Sequence, residues 1–207
     1  MRTIFCTLTI VAFMSLSGFA IAEDKVWPDG KIRTFQDVRS KLNNSSPNPL
    51  TGLIDLANAG DSDAQAVVGA AYFIGDELPK DMALGLRYLR MAAAKGHADA
   101  LYNLGVIYDE GNGVLQDKES AFKLYLSAAH KGHPQAQNNL SRFYVDEVVI
   151  KKNIVKAHMW LNLASAQGND GSRTSRDAIA KYMTPQEIRT ANQLAKKCLE
   201  SRYKQCD

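Results

Sequence analysis

The central part of the chain repeats itself every 36 residues. Glycine recurs at this interval, at Gly60, Gly96, Gly132 and Gly168. Tyrosine keeps the same step without any insertion, at Tyr72, Tyr108 and Tyr144. A fixed period of this length is typical of a solenoid, in which each unit buries its apolar face only by stacking on its neighbours.

Each unit predicts two helices joined by a polar turn. In the first unit Ala64, Val68 and Tyr72 recur at the spacing of one helical face. Asp81 follows the turn, and its side-chain oxygen is suited to cap the free N–H groups of a second helix. Asp117 and Asn153 occupy the same position in the later units.

Glycine predicts where helices end and where they approach closely. Gly96 and Gly132, each preceded by a lysine, fit a left-handed residue just after a helix. Small residues such as Gly69 and Gly85 leave room for the two helices of a unit to approach each other.

The second unit carries a motif that identifies a family. It runs from Ala100 to Tyr108 as ALYNLGVIY and continues with Gly111, Gly113 and Asp117. This motif resembles the Sel-1-like repeat, a relative of the tetratricopeptide repeat. The resemblance implies an all-α, right-handed superhelical solenoid of antiparallel helix pairs. The third unit has Glu147 and Val149 at the two glycine positions, so we expect its interhelix turn to differ.

The predicted organisation has four parts. They are a signal peptide (1–22), an N-terminal arm with a short helix (23–49), a repeat region (50–169) and C-terminal capping helices (170–207). The repeat region divides into a half-unit (50–60) and three units (61–96, 97–132 and 133–168).

The N-terminus predicts export. Arg2 precedes an apolar run, and Ala20-Ile21-Ala22 precedes Glu23, which is the pattern of a secretory signal peptide cleaved after Ala22. No later apolar stretch is long enough to anchor the chain in a membrane. We therefore expect a periplasmic or secreted bacterial protein. Its formal net charge of +3 is too small to favour nucleic-acid binding.

Two cysteines, Cys198 and Cys206, remain after cleavage. In one continuous helix their Cα atoms would lie about 12 Å apart, too far for a disulfide. An internal bond therefore requires the last helix to end near Arg202 and the tail to fold back. We favour this bond in an oxidising compartment. The alternatives are two free thiols or an intermolecular bridge.

Three histidines raise the question of a metal site. His130 and His133 form an H-x-x-H pair, and His97 occupies the position of His133 one unit earlier. No carboxylate or thiol lies at a matching spacing, so we interpret them as polar residues at or just past helix ends and expect neither metal nor cofactor.

Two S-x-x-K patterns raise the question of an enzyme. They begin at Ser120 and Ser201, but S-D-N and K-T-G, which accompany this pattern in penicillin-interacting enzymes, are missing from the sequence. We therefore assign no catalytic residue.

The family resemblance implies a non-catalytic protein–protein interaction scaffold. We expect a protein or extended peptide to bind on a concave face lined by the first helices. Helical phase commits Leu104, Gly105 and Tyr108 to packing and leaves the opposite side for a partner. The candidate binding residues are Phe73, Ile74, Tyr102, Val106, Asp109, Glu110, Asn138 and Arg142. The alternatives are scattered surface residues and, for function, a cell-wall-related β-lactamase-like hydrolase or a muropeptide-binding protein.

Overall fold

A computed structural model describes residues 49–75, 78–147 and 149–206. Within these ranges the chain forms nine helices and no strand. The helices are α1 (Pro49–Ala59), α2 (Ser62–Ile74), α3 (Met82–Ala94), α4 (Ala98–Glu110), α5 (Lys118–Ala129), α6 (Pro134–Asp146), α7 (Ile154–Ala166), α8 (Asp170–Ala180) and α9 (Pro185–Glu200). The predicted signal peptide and nearly all of the N-terminal arm lie outside the described residues.

The helices pack in chain order. Each repeat unit contributes one closely packed pair, α2 with α3, α4 with α5 and α6 with α7, and each pair packs against the next. Helix α1 packs on α2, while α8 and α9 both pack on α7. This arrangement is an all-α helical repeat solenoid, as the 36-residue period predicted. None of the described helices is both long and apolar enough to cross a membrane.

Local residue choice explains the ends of the helices. The carboxylate of Asp81 accepts the Leu84 N–H at 2.9 Å and so caps α3. Asp117 and Asn153 cap α5 and α7 in the same way. Gly96 has a φ of 78° and Gly132 a φ of 80°, which is the left-handed conformation that was predicted.

The helices of the first pair approach so closely that both glycines at the contact are required. A Cβ atom on Gly85 would lie 2.6 Å from the backbone nitrogen of Phe73. One on Gly69 would lie 2.8 Å from the backbone nitrogen of Leu89. Neither backbone atom can move without shifting its helix.

The interhelix turn of the third unit departs from the others only in part. Glu147 has a φ of 56°, the left-handed conformation that Gly111 adopts at the same position with a φ of 71°. The Asn153 N–H then donates to the Tyr144 carbonyl oxygen at 2.8 Å, a bond also present in the other two units. Val149, by contrast, brings a β-branched side chain to the position of Gly113.

His97 and His133 begin helices rather than end them, which corrects the interpretation from sequence. The Nδ1 atom of each ring accepts the backbone N–H three residues later, at 3.4 and 3.2 Å. The Nε2 atoms lie 3.1 Å from Asp63 and 3.0 Å from Asp99, which belong to the preceding units. Each histidine therefore caps one helix and joins two units. Among the described residues no group of three or more His, Cys, Asp or Glu side chains is arranged to hold a metal ion.

The C-terminal tail folds back on the last helix. Thr184 and Glu187 form the capping box that starts α9, which ends at Glu200. Cys198 and Cys206 are joined by a disulfide, with their Cα atoms 4.5 Å apart, as predicted. Both cysteines are buried against the core of the last units.

Candidate functional site

The predicted partner-binding residues do not form one exposed face. The side chains of Phe73 and Tyr102 are only 2% and 5% exposed, and Val106 and Asp109 are also buried. Ile74 is half-buried and packs against the same core cluster as Phe73. The expectation that these residues line an open surface is therefore wrong for most of them.

The cause is that a first helix packs against two neighbours. Helix α2 contacts its own partner α3 and also α4 of the next unit. Phe73 accordingly joins a cluster that includes Leu104 and Ile107 of the second unit. Stacking of one unit on the next therefore buries the helix face that is not in contact within the helix pair.

The remaining predicted residues have mixed surroundings. Glu110 and Arg142 are exposed, as expected. Asn138 is half-buried, and its Oδ1 atom accepts a hydrogen bond from the Ser172 hydroxyl at 2.9 Å. Its side chain therefore helps to dock α8 on the repeat stack.

Three of the predicted residues, Tyr102, Asp109 and Arg142, meet in a polar cluster between the second and third units. The Asp109 carboxylate lies in the last turn of α4 and is only 7% exposed. Lys118 Nζ is 2.5 Å from its Oδ1 atom, and Arg142 Nη2 is 3.8 Å from its Oδ2 atom. The Tyr125 hydroxyl donates to Oδ2 at 3.3 Å.

We call this set the Asp109 cluster. Its members are Tyr102, Asp109, Lys118, Tyr125, Asn139 and Arg142. Asn139 on α6 is a polar neighbour of both tyrosines, which belong to α4 and α5, and it opposes the rise in their pKa values. Lys118 is the first residue of α5, where the helix dipole disfavours a positive charge. The contact with Asp109 offsets that cost.

Both tyrosines of the cluster keep their protons at neutral pH. Burial, followed by the charges of Glu110 and Asp99, raises the pKa of Tyr102 to about 12. Burial and then the Asp109 charge raise the pKa of Tyr125 above its ordinary value. The Tyr102 ring also stacks on His133, with ring centroids 4.5 Å apart. The cluster thus contains neutral hydroxyl donors around one carboxylate and two cations.

Most positions of the cluster are apolar in the other units. One period away, the first and third units have Phe73 and Val145 in place of Asp109, Met82 and Ile154 in place of Lys118, and Leu89 and Leu161 in place of Tyr125. At the position of Arg142, the first unit has Ala70 and the second unit has Val106. Buried ion pairs are often no more stabilising than the apolar residues that could replace them. Departure from the repeat at one junction therefore points to a function.

Sequence reasoning missed Lys118, Tyr125 and Asn139. Their contacts depend on the packing of three helices, which no local motif encodes. A usable signal was nevertheless present, because comparison of the units position by position isolates the sites where one unit is polar and the others are apolar. That comparison finds Asp109, Lys118 and Arg142 without a structure.

Comparison with known proteins agrees with the observed repeats. The Sel1 repeat model matches residues 62–97, 98–133 and 134–169, together just over half of the chain and one residue later than the boundaries drawn from the sequence. A solved Sel1 repeat protein from Oxalobacter formigenes is 36% identical over 62% of this chain and 97% of that one, with a TM-score of 0.59.

A second solved structure is c5321, a protective antigen present in uropathogenic Escherichia coli strains that displays an SLR fold. It is 38% identical over 63% of this chain, with a TM-score of 0.59, and the match spans only 28% of that protein. No curated protein matches the chain significantly.

Proposed function

We propose that this chain, which belongs to the Sel1 repeat family, is an adaptor of the bacterial cell envelope that binds a segment of another protein at the Asp109 cluster. The Sel1 repeat fold is a type of protein–protein interaction scaffold, and Sel1 repeat proteins are generally non-catalytic. The envelope location, the use of the face formed by the first helices and the binding site itself are the proposal.

One observation carries the choice of site. At the junction of the second and third units, ionisable residues occupy positions that are apolar elsewhere in the repeat. Two of them reach solvent, since the side chains of Lys118 and Arg142 are 35% and 56% exposed. A partly buried charged group of this kind favours specific recognition over packing.

Two features support an envelope location. The first 22 residues have the pattern of a signal peptide, and the tail carries a disulfide between Cys198 and Cys206. Disulfides persist in oxidising compartments and are rare in the cytosol of mesophiles. Fractionation of cells that express the full chain tests the location. Recovery from the cytosol of uncleaved protein in which Cys198 and Cys206 are free thiols contradicts it.

The two S-x-x-K serines support helix-end roles rather than a nucleophile. The Ser120 hydroxyl donates to the Asp117 carboxylate at 2.6 Å, next to the cap of α5. The Ser201 hydroxyl donates to the Cys198 carbonyl oxygen at 2.8 Å and accepts the Gln205 N–H at 2.9 Å. The Asp117 carboxylate already caps α5, and neither serine hydroxyl hydrogen-bonds to the lysine side chain of its own S-x-x-K pattern, so the contacts favour the adaptor over the hydrolase.

Crosslinked capture from envelope extracts tests the adaptor function. The bait is the purified mature chain, and the test variant is Arg142→Gln/Lys118→Gln. We expect the parent to retain a defined partner and the variant to lose it, with unchanged helical circular dichroism. Arg173→Gln is the matched control, because Arg173 is also 56% exposed and paired with an aspartate. Equal capture by the parent, the double variant and Arg173→Gln would show that the partner binds outside the cluster.

A further inference from the structure

We infer that the Asp109 cluster recognises an acidic side chain of the bound segment, which Arg142 and Lys118 hold by its carboxylate. This inference rests on the proposed function and assigns the chemistry of the ligand.

The charge of the cluster is unbalanced. Asp109 supplies one negative charge, while Lys118 and Arg142 each supply a positive one. The two tyrosines are neutral. Within the cluster itself the net charge is therefore +1, and both positively charged side chains reach solvent.

Arg142 is held loosely enough to accept a ligand. Its Nη2 atom is 3.8 Å from Asp109 Oδ2, which is beyond hydrogen-bonding distance. A guanidinium has five N–H donors in a planar fork, and a carboxylate matches two of them at once. The contact with Asp109 orients the arginine and leaves donors for a second carboxylate.

A cationic ligand does not fit the same position. The Asp109 carboxylate is only 7% exposed and already receives Lys118 and the Tyr125 hydroxyl. The other nearby acids are Glu110 and Asp99, whose charges raise the pKa of Tyr102. Asp99 is itself paired with His133. The positive charges of the cluster are carried by Arg142 and Lys118, whose side chains are 56% and 35% exposed, and they favour an anionic ligand.

An acidic side chain fits better than a chain terminus. Capture of a terminal carboxylate generally uses a group of free backbone N–H donors. The helix start beside the cluster is that of α5, and its Ser120 N–H is already bound to Asp117 at 2.9 Å. The Arg142 and Lys118 side chains therefore offer a ligand more donors than this helix start does.

Selection from random octapeptides displayed on phage tests the inference on the mature, disulfide-bonded protein. Recovered peptides are resynthesised with amidated and with free C-termini, and the affinities of both forms are measured by fluorescence anisotropy. We expect a shared Asp or Glu, whose change to Asn or Gln weakens binding to the parent about tenfold. The same peptide change should have little effect on binding to Arg142→Gln, because the pair is already broken.

Two further variants sharpen the test. Arg173→Gln should keep the full effect of the peptide change. Glu110→Gln should bind the acidic peptide more tightly than the parent does, because it removes a repelling charge near the cluster.

The outcomes separate this inference from the proposed function. Three results would overturn the inference and leave the adaptor function standing. The peptides could bind the cluster without an acidic residue, or they could bind only with a free C-terminus. The change of the acidic residue could also lower the affinity equally for the parent and for Arg142→Gln. If the parent selects no peptide above the bare support, the inference and peptide binding at this site both fail.

Discussion

The Nε2 atom of His133 lies 3.0 Å from Oδ1 of Asp99, so the start of α6 is fastened to the start of α4. The other ring nitrogen, Nδ1, accepts the Ala136 N–H at 3.2 Å. One side chain therefore satisfies a free donor of its own helix and binds the preceding unit. His97 and Asp63 repeat the arrangement one unit earlier.

Replacement of His133 separates these two roles. His133→Ala removes both and should lower the free energy of unfolding by about 2 to 3 kcal/mol. His133→Asn keeps a capping oxygen, as Asn169 has at the start of α8, and should recover about 1 kcal/mol of that loss. Urea unfolding of the two variants measures the difference. Equal midpoints for Ala and Asn contradict a capping role.

Gly85 should not tolerate a methyl group. Its added Cβ would meet the Phe73 backbone nitrogen at 2.6 Å, so Gly85→Ala should cost about 1 to 3 kcal/mol through overpacking. This loss opposes the gain in helix propensity that alanine normally brings. Thermal unfolding checks the sign. Ala121→Ser, at the same position of the second unit, serves as a comparison for general sensitivity. Stabilisation by Gly85→Ala would falsify the close approach of α2 and α3.

The Asp109 cluster should be replaceable by the residues of the third unit without loss of the fold. The triple change Asp109→Val, Lys118→Ile and Tyr125→Leu should leave the free energy of unfolding unchanged or raise it by about 1 to 2 kcal/mol. Asp109→Ala alone leaves Lys118 without its anion and should cost about 1 to 3 kcal/mol. Urea unfolding distinguishes the two proteins.

Partner capture should respond differently from stability in the triple variant. We expect it to fold at least as stably as the parent and to capture no partner. A marked loss of stability in this protein would show that the cluster is structural rather than functional.

His158 should make the protein less stable in mild acid. Burial and then the charge of Arg176 lower the pKa of this imidazole, while Asp177 acts in the opposite direction. The folded state therefore binds the proton less readily than the unfolded chain does. The contribution of neutral His158 to the free energy of unfolding is fully present above the pKa of the unfolded chain, about 6.5, and is lost as the pH falls below that value.

The variant His158→Gln isolates this contribution. Urea midpoints measured between about pH 7.5 and pH 5 should fall more steeply for the parent than for His158→Gln. All other residues are common to the two proteins, so their contributions cancel in the comparison. Parallel curves would show that His158 does not favour its neutral form in the fold.

Much of the fold could be predicted from sequence because the decisive features are local. A side-chain oxygen at Asp81 and a left-handed residue at Gly96 determine where helices begin and end. The 36-residue period then requires the units to stack. These inferences need only residue type and spacing.

The candidate site could be predicted only in part because its burial depends on the next unit. Helical phase identifies the face that packs within a pair, and it therefore predicted Phe73 and Tyr102 to lie on an open face. Stacking buries both, and the Lys118 and Tyr125 side chains reach Asp109 from a separate helix. A period alone does not give the angle between units that brings these groups together.

Under the proposed function, the Asp109 cluster also determines how many partner segments one copy of the chain can bind. Asp109, Lys118 and Tyr125 come from the second unit, whereas Asn139 and Arg142 come from the third, and the corresponding positions elsewhere are almost entirely apolar. Under the proposed function, the three described units consequently offer one ligand position rather than three. A partner with several acidic segments would gather several copies of this chain, one on each segment, and would not wrap along a single copy.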